Sequence, residues 1–230
     1  MIMRNILKRS FTGKATGLLF AVLVVAALAF TCYSRAVADT ASKASGKGAP
    51  KAAVKETATF AAGCFWSMEA IFKQLKGVDK AEPGYAGGTI ANPSYEAVET
   101  GTTGHAEALN ITFDPKVITY RELLEVLLTA RNPTTSDKQG PDEGPQYRSI
   151  IFYRNEAQQH AALEMIQKIN SAHTWSDPIV TKVQPYTKFY RAENYHFDYY
   201  RQHPDQTYCK YVIAPEIAEF RAKFKAKLKP

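Results

Sequence analysis

A cysteine lies between a glycine and two large aromatic residues in the run Gly63-Cys64-Phe65-Trp66. Apolar residues then recur at the spacing of one helix face, at Met68, Ile71, Phe72 and Leu75. This pattern predicts a helix that begins near Cys64, with the thiol in its first turn. Free N–H groups and the positive end of the helix dipole favour anions there and lower a thiol pKa from about 8.5 to ~3.5–7.5. The sequence therefore favours a reactive thiolate over a buried cysteine that packs as a small hydrophobic residue.

A second residue with chemical potential is a glutamate in the strand predicted over residues 105–113. Because side chains alternate across a strand, Glu107 shares a face with the apolar residues Leu109, Ile111 and Phe113. Desolvation on such a face raises a carboxyl pKa, so that a proton is available at neutral pH, as a general acid requires. The alternative is an exposed strand end, where a glutamate needs no special explanation.

The cysteine count allows two interpretations. Removal of an N-terminal leader that contains Cys32 would leave Cys64 and Cys209. Two cysteines in an exported protein most often form a structural disulfide. In the alternative, Cys64 is oxidised to sulfenic acid and Cys209 condenses with it to give a catalytic disulfide. The sequence composition leaves both interpretations open.

The first 38 residues have the features of a signal peptide. Basic residues precede an apolar stretch over residues 18–30, and Ala36-Val37-Ala38 offers a small-residue cleavage site. We predict a mature chain that starts at Asp39 and is exported, to the periplasm or another extracytoplasmic compartment. An uncleaved leader would anchor the chain in the membrane, and we expect no other membrane contact.

The segment 39–56 is rich in Ala, Lys, Ser and Gly and contains no aromatic residue, which predicts a disordered linker. The chain has 29 Lys and Arg against 22 Asp and Glu, but nine of these basic and two of these acidic residues precede residue 57. Twenty of each sign remain in the rest of the chain. The basic charge therefore belongs to the leader and linker and does not indicate a nucleic-acid partner.

Residues 57–230 suit a single domain with one core. Helical patterns cover 120–130, 155–171 and 215–228, and strand patterns cover 58–62, 79–85, 105–113, 147–153 and 179–184. Their interleaving predicts an α+β fold, a two-layer α/β sandwich in which helices pack on a mixed sheet in a ferredoxin-like plait. Loops of the length predicted for 86–104, 131–146 and 185–210 are usually functional or mobile.

Several segments taken together resemble the A type of peptide methionine sulfoxide reductase. They cover roughly residues 57–225 in the order found in that family, and the cysteine run alone would be only suggestive. The matching segments are Gly63-Cys64-Phe65-Trp66, Gly84-Tyr85-Ala86-Gly87-Gly88, Asn92-Pro93-Ser94-Tyr95, Thr103-Gly104-His105-Ala106-Glu107-Ala108, Gln139-Gly140-Pro141-Asp142, Gln146-Tyr147-Arg148-Ser149, Ala192-Glu193-Asn194-Tyr195-His196 and Tyr208-Cys209.

This resemblance implies an enzyme that reduces methionine-S-sulfoxide, free or in oxidised proteins, to methionine. Cys64 matches the nucleophile that attacks the sulfoxide sulfur, and Glu107 matches the proton donor. Cys209 matches the cysteine that resolves the resulting sulfenic acid to a disulfide, which a thioredoxin-like protein reduces. The family needs no cofactor or metal, and we expect a monomer that repairs oxidised proteins.

The resemblance also assigns substrate-binding roles. Phe65 and Trp66 match the apolar wall for the S-methyl group of the substrate. Tyr95 and Tyr147 match hydroxyls that bind the sulfoxide oxygen, where preplaced donors stabilise developing negative charge. Asp142 matches a carboxylate that organises the site. Without the resemblance, the tyrosines would be interpreted as loop aromatics over the core and Asp142 as a turn residue.

Two departures from the family pattern occur. Ser67 stands where the family commonly has glycine, and the glycine-rich tail with a third cysteine seen in some members is missing, which indicates a single resolving cysteine. Two other functions are compatible with individual residues. His105 or His196 with Cys64 would suit a papain-like hydrolase, and a Cys64–Cys209 disulfide would suit a secreted, stapled binding module.

Overall fold

A six-stranded sheet forms the centre of the protein. The computed structural model describes residues 54–230, so the predicted leader and most of the predicted linker lie outside the described residues. The strands are β1 (Glu56–Ala61), β2 (Val78–Ala86), β3 (Ala106–Phe113), β4 (Lys138–Gln139), β5 (Asp142–Glu143), β6 (Ile150–Tyr153), β7 (Lys182–Pro185) and β8 (Phe189–Arg191). The large sheet has the order β7-β6-β1-β3-β2-β8, and β4 and β5 form a separate small hairpin.

Six helices accompany these strands. They are α1 (Phe65–Phe72), α2 (Tyr95–Glu99), α3 (Tyr120–Ala130), α4 (Glu156–Ser171), α5 (Tyr199–Gln202) and α6 (Ala214–Phe224). Short 3-10 turns lie at Pro145–Tyr147, Asn194–His196 and Lys225–Lys227, and a π-helical turn spans Cys209–Ile213. Within residues 54–230, none of the helices is both long and apolar enough to span a membrane.

The four central strands confirm the predicted fold class. They pair antiparallel in the order β6-β1-β3-β2, and the chain runs through β1, α1, β2, β3, α3 and β6, which is the β-α-β-β-α-β order of a ferredoxin-like plait. The outer strand β7 pairs parallel with β6, and β8 pairs antiparallel with β2, so the complete sheet is mixed.

The main core fills the space between the helices and one face of the sheet. Alternate residues of the central strands, including Phe60, Leu109 and Ile151, pack against Phe72 and Leu124 in this core. Burial of each such side chain stabilises the fold by about 1.5–3 kcal/mol. A smaller cluster of mostly small residues lies on the opposite face, at Ala61, Ala86, Ala106, Ala108, Ile150 and Phe152.

Some boundaries differ from the predictions. Helix α1 ends at Phe72 and not at Leu75, because the chain turns there toward Gly77, which has a φ of +82°. The strand predicted over 147–153 begins only at Ile150, because a 3-10 turn precedes it. The strand predicted over 179–184 is β7, displaced toward the C-terminus. The three long predicted loops contain α2, the β4–β5 hairpin, and β8 with α5.

The turn from β1 into α1 requires a glycine. Gly63 has a φ of +79°, and its N–H donates to the Tyr147 carbonyl at 3.0 Å. A Cβ atom at this position would lie 2.5 Å from Cγ of Gln139. The sequence prediction of a tight glycine turn at this point is therefore confirmed, and the hairpin residue Gln139 packs directly over it.

Arg131, at the end of α3, fixes the same turn from the inside. Its Nε donates to the Ala62 carbonyl at 3.0 Å, and Nη1 donates to Oγ of Ser67 at 2.9 Å. The buried guanidinium also forms an ion pair with Glu216 of α6. One side chain thereby connects the end of β1, the start of α1 and the C-terminal helix.

We expect Gly63→Ala to lower the free energy of unfolding by about 2–4 kcal/mol, since a methyl group here adds both left-handed strain and a collision with Gln139. The matched control is Gly140→Ala, where φ is +58° and nothing lies within 4 Å of the added Cβ. Gly140→Ala should lower the free energy of unfolding by only about 1 kcal/mol, the cost of a left-handed backbone conformation for a residue with a Cβ atom. Urea unfolding of both variants measures the difference. Equal losses would contradict the proposed collision.

Candidate active site

Cys64 precedes helix α1 and does not lie within its first turn. It is the N-cap residue, with φ −54° and ψ 124°, and its carbonyl accepts from the Met68 N–H at 3.2 Å. The backbone N–H groups of Trp66 and Ser67 nevertheless lower the pKa of the Cys64 thiol, although the thiol forms no capping hydrogen bond at the helix start. The thiol therefore lies next to the helix start, as predicted, but one residue before the first turn.

The prediction of a lowered thiol pKa is wrong for this pocket. Cys64 is only 5% exposed, and burial raises its pKa well above the ordinary value. Glu107 and Asp142 would raise the pKa further whenever they are ionised, and burial, the largest effect, outweighs the lowering by the N–H groups of Trp66 and Ser67. The unliganded site therefore holds a neutral thiol, whose proton must leave when the sulfur attacks.

Glu107 lies on the buried face of β3, as predicted, and not at an exposed strand end. Its side chain is 2% exposed, and Oε2 accepts from the Phe65 N–H at 2.8 Å. Burial raises the pKa of the Glu107 carboxyl well above its usual range, and the nearby charges of Glu99 and Asp142 add to this effect. This shift favours the carboxylic acid form of Glu107, which is the form that can donate a proton.

A cavity of about 270 Å³ lies in front of these two groups. Six of the eight residues predicted for the site line it, and the two others, Phe65 and Cys209, do not. Its lining consists of Cys64, Trp66, Tyr95, Glu107, Asp142, Tyr147, Gln206 and Tyr208. The structure thus brings together side chains from α1, α2, β3, the hairpin and the segment before α6.

Trp66 provides the apolar wall of the cavity. Its Nε1 donates to Nδ1 of His196 at 3.0 Å, and its ring stacks on Tyr199 with a centroid separation of 3.7 Å and an interplanar angle of 7°. Phe65, predicted to share this role, is buried behind the cavity and packs against Trp66 and Tyr95. Phe65 therefore supports the wall and contributes its backbone N–H to Glu107.

Cys209 is fully buried in the main core at the start of the π-helical turn. Its N–H donates to Oε1 of Gln206 at 3.0 Å, and burial raises the pKa of its thiol. Within residues 54–230, Cys64 and Cys209 are both free thiols, so no Cys64–Cys209 disulfide holds this fold together.

The two predicted tyrosine donors are held in place from behind. The Tyr95 N–H donates to Oε1 of Glu193 at 3.0 Å, while Oε2 of the same carboxylate accepts from the Tyr85 hydroxyl at 2.8 Å. The Tyr147 hydroxyl donates to Glu99, with 3.0 Å to Oε2. Burial raises the pKa values of Tyr95 and Tyr147, so both remain neutral hydrogen-bond donors.

Sequence reasoning assigned no role to three residues of the site. Tyr208 donates its hydroxyl proton to Oδ2 of Asp142 at 2.5 Å and lines the cavity together with the Cys64 thiol. Gln206 lines the cavity beside it. Glu99 contacts Tyr147 and follows Tyr95 by four residues, a spacing that places both on one helix face and could have indicated it.

Neither candidate histidine is placed to act as a base for Cys64. Both ring nitrogens of His105 bond to backbone, Nδ1 to the Gly88 N–H at 3.1 Å and Nε2 to the Ile90 carbonyl at 2.8 Å. His196 accepts from Trp66, and burial lowers its pKa. No histidine is among the residues, all within 54–230, that line the cavity. This geometry does not support a papain-like hydrolase.

A neutral thiol, a buried carboxylic acid and neutral hydroxyl donors around a small cavity with one apolar wall suit a specific chemistry. The thiol supplies electrons to an oxygen-bearing group, the acid protonates the oxygen, and the wall binds the apolar part of the substrate. The fold and site therefore define a thiol-dependent oxidoreductase.

Comparison with known proteins identifies the family. The profile of the family described as peptide methionine sulfoxide reductase matches residues 56–228. The peptide methionine sulfoxide reductase MsrA of Polynucleobacter asymbioticus is 48% identical over 175 residues, which are 76% of this chain and 92% of that protein. The chain belongs to the peptide methionine sulfoxide reductase family.

Solved structures agree with this assignment. Reduced Mxr1 from Saccharomyces cerevisiae matches with a TM-score of 0.64 at 34% identity, over 70% of this chain and 92% of Mxr1. Methionine sulfoxide reductase A of Corynebacterium diphtheriae matches with a TM-score of 0.60 at 32% identity, over 68% of this chain and 77% of that one.

The raised thiol pKa is testable by alkylation. Without substrate, the rate at which iodoacetamide modifies Cys64 should reach half its maximum on the alkaline side of the ordinary thiol pKa of about 8.5, because burial disfavours the thiolate. Peptide mass spectrometry after timed labelling from pH ~5 to ~10 follows Cys64 alone. A midpoint between about 5 and 7.5 would instead support activation by the helix start.

Proposed function

We propose that Cys64 and Glu107 carry out the reduction of methionine-S-sulfoxide, free or in proteins, to methionine. The observation that supports this most directly is a buried Glu107 carboxyl group that lines the same small cavity as the Cys64 thiol. In the overall step, a thiol and a sulfoxide give a sulfenic acid and a sulfide. Two electrons pass from the Cys64 sulfur to the substrate sulfur, and the oxygen passes to Cys64.

Substrate orientation follows from the cavity walls. The S-methyl group packs on the Trp66 ring, which His196 and Tyr199 hold rigidly. The sulfoxide oxygen then points toward Glu107 and the hydroxyls of Tyr95 and Tyr147, and the sulfur faces Cys64. This arrangement selects one configuration at sulfur, because exchanging oxygen and methyl would place a polar atom on the indole and a methyl group on the acid.

Chemistry begins with proton donation. Glu107 gives its proton to the sulfoxide oxygen while the Cys64 sulfur attacks the sulfoxide sulfur and the thiol proton leaves to water. The protonated oxygen then moves from the substrate sulfur to the Cys64 sulfur, so that a sulfur–oxygen bond forms at Cys64 while the substrate sulfur–oxygen bond and the bond between the two sulfur atoms break. Methionine departs, and Cys64 remains as sulfenic acid. The Tyr95 hydroxyl stabilises the charge that develops on this oxygen, and the Tyr147 hydroxyl does so when it turns its one proton from Glu99 to the substrate.

Recycling requires Cys209 to leave the core. Its neighbour Tyr208 already lines the same cavity as Cys64, so a local rearrangement of the π-helical turn exchanges the tyrosine for the buried thiol. Cys209 then attacks the sulfenic acid, water is lost and a Cys64–Cys209 disulfide forms. A thioredoxin-like dithiol reduces this disulfide and regenerates both thiols.

We expect Cys209→Ser to form one methionine per chain and then stop, because sulfenic acid at Cys64 has no resolving thiol. Methionine release measured against enzyme concentration, with a thioredoxin-like reductant present, gives the stoichiometry, and dimedone labelling of Cys64 identifies the oxidised state. The wild-type chain serves as the control and should turn over repeatedly. Repeated turnover by the variant, or no first turnover, contradicts the assigned roles.

The cellular setting is a further part of the proposal. Residues 1–38 direct export, residues 39–55 act as a linker, and the domain that begins with Glu56 in β1 is a monomeric catalytic domain that repairs oxidised proteins outside the cytoplasm. The basic, then apolar, then small-residue order of the leader supports export. An oxidising compartment has no thioredoxin pool, so electrons would come from a thioredoxin-like protein supplied across the membrane.

N-terminal sequencing of the protein from its native host tests the leader. Cleavage after Ala38 should give a mature chain beginning at Asp39, found in the extracytoplasmic fraction. A chain that retains Met1 and fractionates with the membrane would show an anchor, and a chain that retains Met1 in the cytoplasm would contradict export.

A further inference from the structure

Glu69 is a buried carboxyl group on α1 that the proposed reaction does not use. It lies about one turn after Trp66 and is 2% exposed. Its Oε2 accepts from the Asp198 N–H at 2.8 Å, and its Oε1 accepts from Nζ of Lys73 at 3.2 Å. Nζ of Lys73 also donates to Oδ1 of Asp198 at 2.6 Å. These contacts join α1 to a residue that lies 129 positions after Glu69 in the chain.

The residue that Glu69 holds lies between two side chains that contact the Trp66 ring. His196, two residues before Asp198, accepts from Nε1 of Trp66 at 3.0 Å. Tyr199, the residue after Asp198, stacks on the indole with the ring centroids 3.7 Å apart. Because Asp198 lies between them in the chain, a shift of its backbone would move both contacts. Fixing Asp198 to α1 therefore also fixes the surroundings of Trp66.

Local structure alone does not hold this segment in place. Asp198 has a φ of +55° and a ψ of 27°, a left-handed conformation that costs a residue with a Cβ atom ~1–2 kcal/mol. Helix α5, which begins at Tyr199, has only four residues and receives no side-chain cap from Asp198. Helices of this length are not stable by themselves. The position of Tyr199 thus depends on tertiary contacts, and those from α1 to Asp198 are polar and directional.

Charged groups from every element packed against Glu69 face it. They line a cavity of about 210 Å³ and are Lys73 on α1, Asp198 before α5, Arg201 on α5 and Arg221 on α6. Burial raises the pKa of the Glu69 carboxyl to about 7, although Lys73 favours the ionised form. Glu69 is therefore ionised at mildly alkaline pH. It does not line the active-site cavity and reaches that site only through neighbouring residues.

We propose that Glu69 is a positioning residue for substrate binding, because it fixes the segment that packs on the Trp66 wall. This inference rests on the proposed function. A wall held in one place receives the S-methyl group at a defined position. A wall that moves binds the methyl group less tightly and also admits a longer alkyl group. Glu69 gives neither a proton nor an electron to the substrate, so its loss affects binding and leaves the chemical step intact.

The first turnover without reductant separates binding from chemistry. Glu69→Ala should raise the methionine sulfoxide concentration at half-maximal rate by about tenfold, while the maximal rate stays within about twofold of the wild-type value. Glu69→Gln keeps an oxygen that can accept from the Asp198 N–H, so it should raise that concentration by only about threefold. Assays at pH ~8 keep Glu69 of the wild-type chain ionised. Methionine is quantified after rapid acid quenching.

The size of the alkyl group gives a second measurement. The ratio of kcat/KM for methionine sulfoxide to kcat/KM for ethionine sulfoxide reports how strictly the wall fits a methyl group. Glu69→Ala should lower this ratio by about threefold, because a displaced indole leaves room for the extra methylene.

Glu122 on α3 provides the matched control, because its carboxylate makes the same kinds of contact away from Trp66. Its Oε2 accepts from the Thr119 N–H at 2.8 Å, and its Oε1 accepts from Nζ of Lys227 at 2.6 Å. Glu122→Ala therefore removes one backbone contact and one lysine contact, as Glu69→Ala does. It should leave the half-saturating concentration, the maximal rate and the alkyl preference at their wild-type values.

Tryptophan fluorescence tests the effect on the wall directly. The chain has two tryptophans, so Trp175→Phe leaves Trp66 as the only one. In this background, Glu69→Ala should raise the rate constant for acrylamide quenching by about twofold, because a less tightly held indole is more accessible. Glu122→Ala in the same background should leave the quenching unchanged.

Four results would overturn the role of Glu69. Three concern Glu69→Ala: wild-type half-saturation and alkyl preference, changes that Glu122→Ala reproduces, or a lower maximal rate with unchanged half-saturation. If Glu69→Ala does not fold, Glu69→Gln and Lys73→Met, which each remove one charge from the contact, replace it. Wild-type half-saturation in both of these variants is the fourth result. A wild-type chain that releases no methionine from the sulfoxide would instead contradict the proposed function.

Discussion

The exclusion of water from Glu107 and Cys64 is the constraint on which the rest of the site depends. The Glu107 carboxyl group and the Cys64 thiol are almost fully buried and lie near the carboxyl group of Asp142. Both favour their neutral forms, because neither the solvent nor a cation stabilises the charged forms. The Phe65 N–H, which donates to Glu107, fixes the acid relative to the start of α1. Reactivity is then coupled to the substrate: the sulfoxide oxygen is the acceptor for the proton of the acid, and the thiol proton leaves as the sulfur attacks.

The scaffold fixes this arrangement through contacts distant in sequence. The Gly63 turn sets the direction of α1, and Arg131 connects that turn to α6. Ser67, which stands where the family commonly has glycine, accepts from this arginine and donates to Glu216. The serine at this position therefore has a structural role in this chain, because its hydroxyl joins Arg131 and Glu216 in one hydrogen-bonded network.

The two cysteines lie in different environments, and this difference orders the catalytic cycle. Cys64 opens onto the cavity, whereas Cys209 is enclosed in the main core behind Tyr208. Oxidation of Cys64 can therefore occur before Cys209 is exposed, and disulfide formation requires the irregular turn at Cys209–Ile213 to open. A π-helical turn suits this role because its hydrogen bonding is less regular than that of an α-helix, and such turns are frequent at functional sites.

Much of the fold followed from the sequence, because local periodicity reports which face of an element is buried. Strand alternation placed Glu107 on an apolar face, helix periodicity located α3, α4 and α6, and Gly63 marked the turn before α1. The motif match identified six residues of the cavity lining. Tertiary structure alone decided that Phe65 lies behind Trp66, that Cys209 is buried, and that Glu99 accepts from the Tyr147 hydroxyl. It also reversed the expected shift of the Cys64 pKa. A helix start is a local feature and is visible in sequence, whereas desolvation and the charges of Glu107 and Asp142 depend on segments that meet only in the folded chain.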